Sequence, residues 1–141
     1  MEGTRLFADG DHLAAAVLDG RLYALGGRID GDYSRNLSVN ESYDPAADRW
    51  EKRTPLPTPR SGIAEAVLEG RIFVFGGEAP TGTFSQVEAF DPRSNSWRGH
   101  MRMPTSRHGL GAAAVAGRIY LISGGPTPGA SASDANEIFL P

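Results

Sequence analysis

The stretch GRIFVFGGE, residues 70–78, is a short apolar run that ends on two adjacent glycines. Two similar stretches flank it, GRLYALGGR at residues 20–28 and GRIYLISGG at residues 117–125. Aromatic and β-branched residues bounded by glycine are typical of buried β-strands. Glycine permits positive φ and a close approach of other backbone, so we expect the chain to leave each strand sharply at the glycines. Three such copies predict a repeat protein.

The segments that follow the glycines repeat as well. NESYDPAADRW (Asn40–Trp50) matches VEAFDPRSNSW (Val87–Trp97), and the third copy reads NEIFLP before Pro141. In both complete copies an aromatic residue precedes a tryptophan, and an Asp-Pro pair predicts a turn between them. Each copy therefore divides into four short strands, of which we expect the third at residues 37–43 and 84–90.

These markers resemble kelch repeats, of the kind found in bacterial kelch proteins. The resemblance covers nearly the whole chain and implies an all-β kelch β-propeller with three four-stranded blades per chain. In the third copy Ser123-Gly124 replaces the glycine pair and the tryptophan is missing. The markers are Gly26-Gly27, Gly76-Gly77, Tyr43 with Trp50, Phe90 with Trp97, and Pro59-Arg60-Ser61-Gly62.

The predicted blades are blade 1 at about residues 11–54, blade 2 at about 61–101 and blade 3 at about 108–140. Residues 1–10 align with residues 51–60, so residues 4–7 are expected to supply the fourth strand of blade 3. Three blades alone would leave apolar sheet faces and a strand edge exposed. We therefore expect half of a six-bladed ring, completed as a homodimer in which each chain lends residues 4–7 to the other. A fragment of a longer propeller is the alternative.

Composition excludes several classes of function. The 141 residues include 18 glycines and 10 prolines, too many for a helical bundle, and their net charge of −3 argues against nucleic acid as a partner. No apolar stretch is long enough for a membrane span, and no signal peptide is visible, so we expect no membrane partner and a cytoplasmic location. The chain has no cysteine, which excludes the tyrosine–cysteine chemistry of galactose-oxidase-type propellers. We expect no metal, no cofactor and no assembled catalytic site.

The candidate ligand-binding residues lie in loops that, in kelch propellers, meet on one face. We call this face the mouth: the loops after the glycine pairs and the loops that enter each first strand. Arg60 and Arg107 occupy equivalent positions and are expected to point into the mouth, where each could bind a carboxylate through two hydrogen bonds. The alternative is that they hold neighbouring loops together. The full candidate set is Arg28, Tyr33, Arg35, Arg60, Glu78, Arg107 and His108.

Three acidic positions recur in register, at Glu41, Glu88 and Glu137, and recurrence in every copy favours a structural contact between blades. Glu65 does not recur, since the other copies have Ala15 and Ala112 there. A charge on an innermost strand needs solvent or a partner, so we expect Glu65 to face the central channel or to pair with an arginine.

Two functions fit this sequence. The first is a non-catalytic kelch binding or scaffold module that presents its loop-lined mouth to a protein or peptide partner. The second is a carbohydrate-active enzyme resembling the kelch mutarotases that act on sialic acid, in which mouth arginines would hold an acidic sugar. The thirteen arginines, against a single lysine, mildly favour the second. The absence of a catalytic constellation favours the first, so we expect the chain not to be an enzyme.

Overall fold

The structure is a computed structural model that describes Leu6 and residues 9–141, and its regular elements are all β-strands. In the described residues no helix is long and apolar enough to cross a membrane. Blade 1 contains β1 (Ala14–Leu18), β2 (Arg21–Leu25), β3 (Arg28–Ile29), β4 (Asp32–Asn36), β5 (Asn40–Asp44) and β6 (Arg49–Lys52). Blade 2 contains β7 (Ala64–Leu68), β8 (Arg71–Phe75), β9 (Glu78–Ala79), β10 (Gly82–Thr83), β11 (Val87–Asp91) and β12 (Ser96–Gly99). Blade 3 contains β13 (Gly111–Val115), β14 (Arg118–Ile122) and β15 (Asn136–Phe139).

Each blade is an antiparallel sheet whose strands follow chain order from the inside outwards. Blade 1 is ordered β1-β2-β5-β6 and blade 2 is ordered β7-β8-β11-β12, while β3-β4 and β9-β10 form small separate hairpins. In blade 3 the described residues form the sheet β13-β14-β15. These sheets confirm the predicted all-β propeller blades. The fourth strand predicted at residues 4–7 lies outside the described residues, apart from Leu6, which is not in a strand.

The first two strands of every blade are joined by the same two-residue turn. Both central residues of each turn have positive φ, which matches the twist of the flanking strands and defines a type I′ hairpin. Their φ values are 51° and 72° at Asp19-Gly20, 51° and 70° at Glu69-Gly70, and 50° and 75° at Ala116-Gly117.

The third strands begin later than the sequence predicts. The strands start at Asn40 and Val87 rather than at residues 37 and 84. The preceding residues bond elsewhere: the amide of Leu37 donates to the carbonyl of Gly27, and that of Phe84 donates to the carbonyl of Gly77. The backbone of these segments is therefore hydrogen-bonded to loops instead of to a neighbouring strand.

The hydrophobic core consists of two layers between blades. Because side chains alternate across a strand, blade 2 sends Ile72, Val74 and Phe90 towards blade 1, where they pack with Tyr23 and Leu25. Its opposite face packs against blade 3, where the contacting residues include Phe73, Phe75, Ile119, Leu121 and Phe139.

Candidate functional site

The mouth is built on one bridge that recurs in each blade. A residue of the loop entering the first strand pairs with the residue that follows the second glycine of the pair. The three pairs are Asp11 with Arg28, Ser61 with Glu78, and His108 with Gly125. The backbone is constant at these positions while the side chains differ, so each blade contributes different chemistry to the same place.

A buried ion pair joins blade 1 to blade 2 at the mouth. Arg28 is 6% exposed and Glu78 is 3% exposed, and Nη1 of Arg28 donates to Oε1 of Glu78 at 2.7 Å. The Nε of Arg28 also lies 3.4 Å from a carboxylate oxygen of Asp11, and its guanidinium lies over the ring of Tyr33. Arg28 is therefore held on three sides and positions the residues around it.

Glu78 also connects blade 2 to blade 3. Its second carboxylate oxygen accepts a hydrogen bond of 2.8 Å from the amide of Gly129, and Nδ1 of His108 lies 3.5 Å from the first. Burial by itself raises the pKa of Glu78, but the hydrogen bonds from Gly129 and Arg28 and the nearby His108 outweigh it and lower the pKa. Glu78 is thus an ionised hub that fixes loops of three blades.

Asp11 and His12 form an exposed pair beside this hub. Nδ1 of His12 lies 2.6 Å from Oδ1 of Asp11, and the side chains are 53% and 41% exposed. The hydrogen bond from the amide of Gly31, followed by the one from His12, lowers the pKa of Asp11. His12 has a φ of 53° at a position where the other blades have glycine. A non-glycine residue in this conformation carries local strain, which is common at functional sites.

The expectation that Arg60 and Arg107 point into the mouth is wrong. Both side chains are fully buried. Arg60 donates to the carbonyls of Gly76, Gln86 and Val74 and to the carboxylate of Glu88. All four acceptors belong to blade 2, and the several N–H groups of one guanidinium can bond to them together.

Arg107 repeats this arrangement in blade 3, where it donates to the carbonyls of Ser123 and Ala135 and to Glu137. The contacts of both arginines fit the alternative, in which they hold neighbouring loops together. The backbone carbonyl of Arg60 accepts from Gly27 of blade 1 while its side chain enters blade 2. Glu88 and Glu137 are therefore the ion-pair partners of these two arginines, which is a structural role of the kind that their recurrence favours.

The remaining candidates divide by exposure. Arg35 is exposed and pairs with Asp30 at 2.9 Å, and Tyr33 is half-buried on the same hairpin. His108 is largely covered, and its Nε2 lies 3.1 Å from the carbonyl oxygen of Thr127. The ligand-binding role of these residues stays a prediction.

Asp11, His12 and Asn36 are not among the residues that the sequence predicts to bind a ligand. Asn36 accepts a hydrogen bond from Ser61 and donates to the carbonyl of Glu78, which ties the β3-β4 hairpin to blade 2. Asp11 stands in the same column as Ser61 and His108, and comparing that column across the repeats could have found it. In the part of the chain that the structure describes, no group of three or more histidine, cysteine or acidic side chains could hold a metal ion.

Comparison with known proteins decides the family. A sequence profile described as the kelch motif matches residues 11–57 and 59–99, more than half of the chain. The chain belongs to the kelch-repeat family. In this kelch chain the two matched segments contain the four-stranded sheets of blades 1 and 2.

The kelch chain is similar to much longer curated proteins. It is 43% identical over 68 residues to human Kelch-like protein 33, which covers 48% of this chain and 12% of that protein. It is 39% identical over 71 residues to Beta-scruin of Limulus polyphemus, covering 50% of this chain and 7% of that protein. A mouse homolog of the Influenza virus NS1A-binding protein is 40% identical over 67 residues, covering 46% and 10%. The chain thus spans about a tenth of the length of these relatives and is a partial propeller.

Proposed function

We propose that this kelch chain is a protein-binding scaffold module whose mouth receives a protein or peptide partner. The observation that carries the proposal is the buried Arg28–Glu78 pair, which fixes the mouth loops of three blades before any ligand binds. A site that is already ordered loses little conformational freedom on binding. Loops on a rigid scaffold are also where binding residues usually lie.

The side chains around this hub suit a peptide ligand. Tyr33 offers an aromatic surface beside the charges of Arg35, Asp11 and His12, all of them half-buried or exposed. Aromatic and arginine side chains carry much of the energy of protein interfaces. Among the relatives, one is named an Influenza virus NS1A-binding protein and another a Kelch-like ECH-associated protein, and both names describe association with proteins.

Selection of displayed peptides on the immobilised chain tests the proposal. We expect selected peptides to bind Tyr33→Ala and Arg35→Ala at least tenfold more weakly than the unaltered chain, because both side chains would leave the interface. Arg49→Ala is the matched control, since Arg49 is exposed and lies at the opposite end of the blade from the β3-β4 hairpin that carries Tyr33 and Arg35. Peptides that bind all of these variants equally would contradict a mouth site.

The acidic-sugar alternative has less support. It relied on Arg60 and Arg107 to hold a sugar carboxylate, but both guanidinium groups are buried and bonded to backbone carbonyls and glutamates. We therefore do not propose sugar turnover.

We also propose that two copies of the chain close a six-bladed ring. The outer face of blade 3, which is the sheet face that points away from blade 2, exposes Val115, Ile122 and Ile138. These residues are 56%, 50% and 51% exposed. Val115 and Ile122 correspond to Leu18 and Leu25 of blade 1, which are 8% and 0% exposed because blade 2 covers them. An apolar face of this kind favours association.

The complementary face lies on blade 1 of the same chain. Blade 2 packs Val67 and Ile72 against blade 1. Their equivalents on blade 1 are Val17 and Leu22, which are 68% and 36% exposed. Blade 3 of one copy could thus pack against blade 1 of the other copy in the way that blade 1 packs against blade 2 within a chain. Two such interfaces would close a C2 ring.

A charge placed on the outer face of blade 3 tests the ring. We expect Ile122→Glu to separate the copies, because the new carboxylate would lose its hydration in the junction. Ala47→Glu is the control, since Ala47 is exposed in a turn away from both faces. If sedimentation gives the same mass for Ile122→Glu, Ala47→Glu and the unaltered chain, the proposed junction is wrong.

A further inference from the structure

Two shallow notches lie at equivalent places on blades 1 and 2, each on the face turned towards the next blade. The notch of blade 1 has a volume of about 250 Å³ and is lined by residues that include Arg21, Glu51 and Arg53. The notch of blade 2 has a volume of about 170 Å³ and is lined by residues that include Arg71, Asp91, Ser96, Arg98 and His100. They belong to the same columns of the repeat, so blade 1 serves as an internal comparison for blade 2.

In blade 1 a carboxylate of the chain itself lies among three arginines. Nη2 of Arg49 donates to Oε1 of Glu51 at 2.7 Å. The Oε2 of Glu51 lies 3.5 Å from Nη1 of Arg21 and 4.0 Å from Nη1 of Arg53. Glu51 thus offsets part of the positive charge of this notch.

In blade 2 the carboxylate is replaced by another cation. Trp50 aligns with Trp97, which places Arg98 in the column of Glu51 and His100 in that of Arg53. The side chain of Arg98 makes no hydrogen bond or ion pair with any other described residue. The notch has one acidic residue, Asp91, which already accepts three hydrogen bonds from Arg93, while Nε of Arg71 lies 3.6 Å from its Oδ2.

His100 contributes an imidazole ring to the lining of the notch. Its Nε2 is buried and has no hydrogen-bonding partner, and its ring packs against Phe73 at 5.2 Å and Phe139 at 5.9 Å between centroids. Burial, with the charges of Arg98 and Arg71, lowers the pKa of His100. Arg71, Arg98 and Asp91 are the charged residues that line the notch beside His100. A bound anion would offset the two cations.

We propose that the notch of blade 2 binds a small oxyanion, a carboxylate or a phosphate group, through Arg71, Arg98 and His100. The guanidinium forks suit either anion, and Ser96 contributes a hydroxyl to the lining. A neighbouring blade does not fill such a notch, because the notch of blade 1 stays open although Pro92 and Arg93 of blade 2 line it. The proposal is independent of the mouth and of its partner.

Nuclear magnetic resonance of the three histidines tests this site in the intact chain. Inorganic phosphate and acetate are titrated separately at constant ionic strength, and the pKa of each imidazole is followed. We expect a saturable rise in the pKa of His100 and no matching rise for exposed His12. A response to phosphate alone would assign the site to phosphate groups, a response to acetate alone would assign it to carboxylates, and a response to both would assign it to either.

Variants at position 98 separate specific binding from general charge effects. Arg98→Glu restores the carboxylate of blade 1, so we expect at least tenfold weaker binding of the anion, and Arg98→Gln should weaken it in the same direction if the glutamate variant folds poorly. Arg118→Gln is the control, because it removes an equal charge from an exposed position on blade 3. Unchanged affinity in both position 98 variants would overturn the proposal, as would equal shifts of all three histidines or no shift with either anion.

Discussion

Arg60 connects the loop that enters blade 2 to the strands of that blade through four hydrogen bonds. Its guanidinium group is fully buried and satisfies three carbonyls together with Glu88. Replacement would leave Glu88 as a buried charge without its cation and would remove one hydrogen-bond donor from each of the three carbonyls.

We therefore expect Arg60→Gln to lower the free energy of unfolding by about 3–5 kcal/mol, the usual cost of breaking a buried pair from one side. Arg49→Gln is the matched control, since the Arg49–Glu51 pair is exposed and should contribute less than about 1 kcal/mol. Urea denaturation of both variants measures the difference. Equal losses would show that the burial of Arg60 has no energetic consequence.

His12 is predicted to oppose stability. Its φ of 53° is unfavourable for a residue with a Cβ atom, whereas Gly62 and Gly109 adopt 64° and 59° in the same column. We expect His12→Gly to raise the free energy of unfolding by up to about 1 kcal/mol and to weaken peptide binding at the mouth. Denaturation and peptide titration measure the two effects, and a loss of stability would show that the bond to Asp11 outweighs the strain.

Glu65 also opposes stability, and its effect should depend on pH. It is half-buried on β7, and burial raises its pKa above 4.5. The folded state then holds its proton more tightly than the unfolded state, so stability falls as the pH rises from the unfolded pKa through the folded one. We expect Glu65→Gln to raise the melting temperature at pH 7 and to change it little near pH 3. Scanning calorimetry at both values is the measurement, and a stabilisation that is the same at both would exclude the ionisation as its cause.

At the scale of the strand, the paired glycines join one blade to the next. A Cβ atom on Gly76, whose φ is 65°, would collide with the carbonyl oxygen of Arg107 and lie 3.0 Å from Leu110. Gly70 has a similar φ of 70°, but nothing lies within 4 Å of the position of its Cβ atom. Both positions require a positive φ, but only Gly76 also lacks room for a Cβ atom, so the two glycines allow these two effects to be measured separately.

We expect Gly70→Ala to cost about 1 kcal/mol, from the left-handed backbone alone. Gly76→Ala should cost about 3 kcal/mol or more, because a clash with backbone is added to the same strain. Chemical denaturation of both variants checks the difference. Equal costs would mean that the glycine pair is required only for its φ.

The strands were predictable from the sequence because their features are local. Alternating apolar residues, type I′ turns at Glu69-Gly70 and Asp-Pro turns mark most of the strands without reference to the rest of the fold. The start of the third strand was predicted too early because the backbone of residues 84–86 bonds to loops. The residue pattern does not reveal which backbone a segment will bond to.

The direction of a long side chain was not predictable in the same way. Arg60 lies in a mouth loop by its position in the sequence, yet its guanidinium group is buried and bonds to blade 2. Its recurrence with Arg107, together with that of Glu88 and Glu137, was a signal for this pairing. The Arg28–Glu78 pair had no such signal, because its members occupy one column with opposite charges.

At the scale of the molecule, the two interfaces between blades of one chain predict a third, between blade 3 of one copy and blade 1 of another. Blade 3 presents the kind of face that blades 1 and 2 bury, and blade 1 presents a face equivalent to the one by which blade 2 contacts it. A ring of two copies would cover both faces and would place two copies of each mouth residue around one axis. The proposed binding site would then have twofold symmetry.

The mass of the unaltered chain in solution tests this account most directly. Light scattering on a size-exclusion column, repeated over a hundredfold dilution, should give twice the 15.0 kDa of one chain at every concentration. A stable mass is expected because both junctions bury apolar sheet faces. A mass of 15.0 kDa, or a mixture of sizes without a dimer, would contradict the two-copy ring and leave the mouth with the loops of three blades.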